Sequence, residues 1–392
     1  MTTYAAYATR WDDTRVVEEL IPARGLSFSM PLSDDGDASF TATVEPGRSL
    51  WRAAIGLPFS GILIARDGVP VWQGRVTGER QSGPRTFQFA AKEWGSWFAD
   101  CPAPQADYLA TDSHAAFRDL IANAQAVPGQ DAKVSAGSTV GAALAGVKVN
   151  AWDTSTVAEV FRAIADADGG PEWYFGSAGT LANPVRALTL GDRLGSTTAV
   201  DVLQYVESTP GWKPSPTVPG VALLSDLFPV GSGPTVVEDL PRRGGNVLAV
   251  SRDRDLSRSA TNVIATGDGS EVAQLRQSAT ASTLLSRGWP KITRFTQHGS
   301  VSDPGTLQRL ARADLASMSG IATRYSLTTF DGDPDWTQVP RGSTMRVILD
   351  TDVYAVDRPY TFESRLLNLS VDVADDGPAQ IGWSLAETME AR

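Results

Sequence analysis

Two histidines, His114 and His298, are the whole supply of imidazole in this 392-residue chain, so any Ser-His-Asp or Cys-His site must use one of them. His114 opens a predicted helix and His298 lies in the polar stretch Thr296-Gln-His-Gly299, so both read as surface or capping histidines. Cys101 is the lone cysteine, which excludes an intrachain disulfide framework and a thiolate metal cluster. Asp331-Gly-Asp-Pro-Asp335 sets carboxylates at alternate positions, as a calcium loop would. The EF-hand spacing then fails, because its sixth position is Trp336 rather than glycine and its twelfth is Gly342 rather than glutamate. A solvated turn is the simpler reading. No G-x-S-x-G, Walker A, H-E-x-x-H or strand-to-helix G-x-G-x-x-G pattern is present. The 45 Asp and Glu residues could supply paired carboxylates for glycoside hydrolysis, but nothing singles out a pair. The eleven tryptophans could stack on sugar rings, and Trp94 and Trp97 sit three apart. Trp51, Trp72 and Trp383 fall in or beside strand patterns, where large aromatics are usually core. These residues point to a protein that is not an enzyme and calls for no cofactor and no metal.

The elements around them are mainly β. In residues 1–105, Gly61–Arg66 and Val69–Gly74 flank Asp67-Gly68, the strongest short hairpin signal, and Thr86–Ala90 alternates so that Phe87 and Phe89 share a face. Ala38–Val44 is a further strand. Residues 106–207 change period. Phe117, Leu120, Ile121 and Ala124 fit a helix capped by Asp112 or Ser113, and Thr156 with Glu159 forms a capping box ahead of Val157, Val160, Phe161 and Ile164. Residues 208–240 are rich in Pro, Gly and Ser and read as a long loop or arm. From 241 to 392 the chain is β again with one helix over 302–319, capped by Ser302 or Asp303 and stopped by Gly320. In Leu367–Val373 apolar residues alternate strictly with Asn368, Ser370 and Asp372, so one face is buried and the other wet.

The net charge is −11, from 34 Lys and Arg against 45 Asp and Glu, which argues against gripping nucleic acid by its phosphates. No apolar run approaches the ~18 residues of a membrane span, and no secretion signal opens the chain, so synthesis in a reducing cytoplasm is expected.

Between Asn246 and Gly269 two strand-like runs flank the turn Ser251-Arg-Asp-Arg-Asp255, and a helix and closing strands follow. With Leu240-Pro-Arg-Arg-Gly-Gly-Asn-Val-Leu-Ala-Val250 and Thr261–Gly269, this order resembles the second half of tail hub proteins of long-tailed phages. That family is related to the baseplate hub of contractile phages and to the N-terminal part of tail-associated lysins. In phages of actinobacteria its members are often called minor tail proteins, and the Ala/Gly/Asp-rich composition suits such a host. The opening hairpin and aromatic strand, Gly61–Ala90 leading to Trp94 and Trp97, are similar to the family's first barrel. The resemblance implies a mainly β (α+β) fold with two β-barrel modules, 1–105 and 241–392, separated by the small α/β insert. It implies a homotrimer whose two similar modules per chain make a pseudo-sixfold ring at the virion's tail tip, joining tube to tip. Its implied partners are the distal tail protein, the C-terminus of the tape-measure protein, and tail fibre or receptor-binding proteins. DNA would pass the lumen without specific binding, helped by the negative charge. The peptidase or lysozyme region that some hubs append is not expected. Arg252, Arg254 and Arg258, a basic exception on an acidic chain, and the Pro-rich arm's tryptophan, Trp212 beside Lys213, are the candidate interface residues. The arginines could pair with a neighbouring subunit or simply with Asp253 and Asp255. Alternatives are the hexameric distal tail protein, a tip protein that binds or degrades cell wall, and a hub from a contractile system.

Overall fold

The computed structural model describes residues 2–20, 23–43, 60–108, 110–144, 147–150, 154–167, 170–197, 201–206, 246–269, 274–299, 301–332, 334–350, 360–375 and 377–390. The chain divides into unit 1 (Met1–Ala249 and Leu327–Trp383) and unit 2 (Val250–Ser326 and Ser384–Arg392).

The N-terminal strands are β1 (Tyr4–Arg10), β2 (Val16–Leu20), β3 (Ala23–Pro31), β4 (Asp37–Thr43), β5 (Ser60–Arg66), β6 (Val69–Gln81) and β7 (Thr86–Glu93). Asp67 (φ 50°) and Gly68 (φ 80°) both take left-handed backbone between β5 and β6, which is what a primed two-residue hairpin turn demands. In β4 and β7 alternate residues are buried, and the paired Phe40 and Phe89 stack with ring centres 5.2 Å apart. The period-two pattern thus becomes a one-sided core face.

The next elements are β8 (Ala106–Asp107), α1 (Ser113–Ala126), β9 (Val134–Ala136), β10 (Lys148–Val149), α2 (Val157–Ala165), β11 (Glu172–Gly179), β12 (Pro184–Gly191) and β13 (Asp201–Val206), the last paired with a strand of the large sheet. Asp112 caps α1 by accepting from the Ala115 N–H, and Thr156 and Glu159 close the capping box of α2. Phe117 and Phe161, one from each helix, stack at 4.7 Å, and Phe98, Trp173 and Phe175 complete an aromatic cluster.

The remaining elements are β14 (Val247–Asp255), β15 (Asn262–Thr266), β16 (Arg276–Thr280), α3 (Ser282–Ser286), β17 (Thr293–Gln297), α4 (Pro304–Met318), β18 (Ile321–Phe330), β19 (Thr344–Asp350), β20 (Tyr360–Val373), β21 (Gln380–Leu385) and β22 (Thr388–Glu390). In unit 2, β15 runs between antiparallel β16 and parallel β17, and α4 covers this small sheet through Leu307, Ala311 and Leu315 against Val263, Ala265 and Ala279. Asp303 caps α4, and Pro304 fills its first turn.

The expected pair of barrels is not what forms. In unit 1, β20 lies between β21 and β3, and the strand order runs on through β4, β7, β6, β5 and β1 to β2, with no closed barrel among the described residues. The cause lies in the length of β20. Its first half pairs with β19 (Leu349 against Tyr360) and its second half with β3 (Val371 against Phe28), so one strand joins the late β-segment to the early one. The alternation in Leu367–Val373 marks this strand correctly, but alternation carries no record of which partner a strand takes.

Candidate functional site

Each residue that could have done chemistry has a structural occupation. His114 is 2% exposed, so it is a core residue rather than a surface or capping one. Its Nδ1 shares a hydrogen bond with the Thr139 hydroxyl at 3.0 Å, and its Nε2 lies 3.4 Å from Asp192. His298 Nε2 is 2.8 Å from Asp314, which also accepts from the Thr296 hydroxyl at 2.6 Å. Cys101 is fully buried, and burial pushes its thiol up to about 11, the reverse of an activated thiolate. Trp72, Trp94 and Trp383 are core residues, and Trp51 lies outside the described residues.

The Asp331 loop is likewise committed. Asp331 accepts two bonds from the Arg66 guanidinium (2.9 and 3.1 Å), one from the Tyr4 hydroxyl (2.8 Å) and one from the Trp336 indole (3.1 Å). Four donors on one carboxylate leave it no capacity for a cation. Asp335 accepts from Arg66 and caps Thr337. Among the described residues no cluster of three or more His, Cys, Asp or Glu could hold a metal ion, and no helix is long and apolar enough to cross a membrane.

Sequence reading missed a set of internal arginines that tie the insert to the large sheet. Arg341 pairs with the buried Glu93 at 2.8 Å and lies over the Tyr174 ring at 4.5 Å. Arg365 pairs with Glu172 and also donates to the carbonyls of Gly342 and Leu194. Arg186, 1% exposed, donates to the carbonyls of Arg10, Trp11, Asp13 and Ala132 and stacks over Trp94 at 3.7 Å. Burial lowers its pKa to about 9, so it stays charged at neutral pH. Arg186 alternates with buried Leu188 and Leu190 on β12, the one sequence hint that it faces inward. Beside this network a groove of about 520 Å³ is lined by Met30, Tyr174, Trp336, Leu369 and the two arginines Arg66 and Arg341. Both cations are already paired, and Asp67 and Asp335 also line the groove.

The candidate interface arginines lie on one stretch. Arg252 and Arg254 are on β14, the first half-buried and the second exposed, and Arg258 follows in the next turn. Arg258 reaches Glu387 at 3.4 Å, and Arg324 approaches the same carboxylate at 3.8 Å. Arg294 donates to the carbonyls of Ser257 and Ser259. Asp255 instead accepts from Ser257, which holds its carboxyl below the usual range, with Arg258 and Arg294 adding to the effect. The structure therefore brings Arg258, Arg294 and Arg324 together around Asp255 and Glu387. Trp212 and Lys213 lie outside the described residues, as does the whole Pro-rich segment.

The described residues make a β-rich fold held together by buried arginines. Solved structures share that fold across nearly the whole chain. The 43 kDa tail protein of prophage MuSo2 from Shewanella oneidensis superposes with a TM-score of 0.59 at 11% identity, covering 97% of this chain and 98% of that one. A tail protein from Neisseria meningitidis MC58 gives 0.56 at 12% identity, covering 97% and 96%. The prophage tail protein gp18 from Listeria monocytogenes EGD-e gives 0.50 at 9%, covering 97% and 94%. No family model and no curated protein matches the chain. What is shared with the tail proteins is the fold.

Proposed function

We propose that this chain is a structural tail hub protein of a phage tail tip, assembled as a homotrimeric ring and not acting as an enzyme. The observation that carries the reading is the match over 97% of the chain to 98% and 96% of two solved tail proteins. In this reading three copies, each lending an early and a late β-segment, approximate sixfold symmetry and join the tube to the tip. The neighbours are then the distal tail protein, the C-terminus of the tape-measure protein, and fibre or receptor-binding proteins. The net charge of −11 keeps DNA from adhering as it passes. Arg252, Arg254, Arg258 and Trp212 are proposed contacts to those neighbours.

Native mass spectrometry together with electron microscopy of the purified chain tests this. Rings of three copies are expected. Rings of six would assign the chain to the distal tail protein, and soluble fragments released from host cell wall would overturn the non-enzymatic reading.

A further inference from the structure

Among the described residues, α4 packs on one side of the small sheet of unit 2, and no helix packs on the other. Val263 and Ala265 face α4, so the strand alternation turns Ile264 to the opposite side. Register sets Ser278 of β16 and Phe295 of β17 directly beside Ile264, one on each flank. Phe295 is 71% exposed, at one flank of a face on which Ser278, Thr280, Arg276 and Gln297 are exposed as well. The nine positions of this face include one aromatic and one arginine but no acid and no lysine, which is the composition of a protein interface rather than of a solvated surface.

Charge indicates what covers it. Unit 2 carries 11 of the 34 basic residues and 8 of the 45 acidic ones, a net +3, which leaves −14 for the rest of the chain. A face whose single charge is Arg276 suits an acidic partner with an apolar spot to receive the ring. The acidic surface present wherever this protein assembles is that of another copy. We propose that the Phe295 face of one copy docks on the acidic surface of the next, in a head-to-tail contact that closes into a ring. The proposal rests on the ring reading above and names the surface that makes the ring. Three strands about 4.8 Å apart and five residues of about 3.3 Å each give a face on the order of 250 Å², well short of the roughly 800 Å² per partner of a stable pair. The face is thus one part of a larger contact.

Sedimentation velocity on the full chain, over a concentration series at low and high salt, tests this with Phe295→Glu, Phe295→Ser and Arg276→Glu, and with Phe330→Glu as an exposed control outside the face. The wild type and the control are expected to form the same multimer, weakened by salt. Both Phe295 variants should need on the order of tenfold more protein to assemble, with unchanged circular dichroism. Arg276→Glu should weaken assembly at low salt and lose that effect at high salt. Multimers undisturbed by the Phe295 variants would overturn the proposal and leave the ring reading standing, including the case where a variant loses a different binding partner. A wild-type chain that stays monomeric would remove the ring reading and this one together.

Discussion

Replacing Asp35 by asparagine should stabilise the protein at alkaline pH and do nothing in acid. Asp35 sits on the loop between β3 and β4, where the neighbouring Gly36 N–H donates to Glu93 at 3.0 Å. Asp35 thus lies close to Glu93, whose partner Arg341 donates to Glu93 and to the Pro31 carbonyl. The Asp35 Oδ1 is buried without a partner, packed so closely over Gly95 that a Cβ there would stand 1.9 Å from it. Burial, then the charges of Glu93 and Asp34, push the Asp35 carboxyl up to about 7, against the weaker pull of Arg162 and Lys92.

The sign follows from linkage. Below an unfolded value of 3.8 the group is protonated in both states and contributes nothing. Between there and about 7 the folded chain holds a proton that the unfolded chain has lost, so stability falls as pH rises. Above that window a constant penalty remains. At about 1.4 kcal/mol per pH unit its ceiling is about 4 kcal/mol. The replacement amide carries no charge to bury, so urea unfolding of Asp35→Asn, followed by tryptophan fluorescence, should show a gain of about 2–4 kcal/mol near pH 8 and parity near pH 4. An equal effect at both pH values, or a loss near pH 8, would refute the account of this carboxyl.

Two other substitutions probe the internal arginines. Arg186→Met keeps much of the volume but strands four carbonyl acceptors, and should cost about 3–5 kcal/mol in urea unfolding at neutral pH. Asp331→Asn leaves Arg66 short of a charged partner and should lower the melting temperature. Adding calcium to the wild type should leave that temperature unchanged, because Arg66, Tyr4 and Trp336 already occupy the carboxylate. A calcium-dependent rise would restore the metal-loop reading.

Local structure was readable where one residue type enforces one conformation. Asp67-Gly68, the Asp112 and Asp303 caps and the Thr156/Glu159 box all stand where side-chain chemistry places them. Alternation in Leu367–Val373 likewise identified a strand, but not its faces, since Leu367 is exposed while Asn368 and Ser370 are half-buried. Pairing was not readable, since β3 and β20 are chosen for each other by packing across the whole chain, and this is what replaced two barrels by one sheet. Nor were the arginine ties. A buried Arg186 or Arg341 looks like any surface cation until the carbonyls and carboxylates around it are in place. His114 misled for the same reason, because a position early in a helix does not tell which way the imidazole turns.

The β3–β20 pairing also governs the order in which the chain can fold as it is made. Leu26 waits for Val373, so β3 leaves the ribosome with its outer edge unpaired and keeps it so until β20 has been synthesised. An open strand edge held that long is a template for wrong partners. Each copy therefore completes its own sheet only once β20 has emerged. Shortened chains that stop before β20 should accumulate as insoluble protein rather than as smaller folded domains.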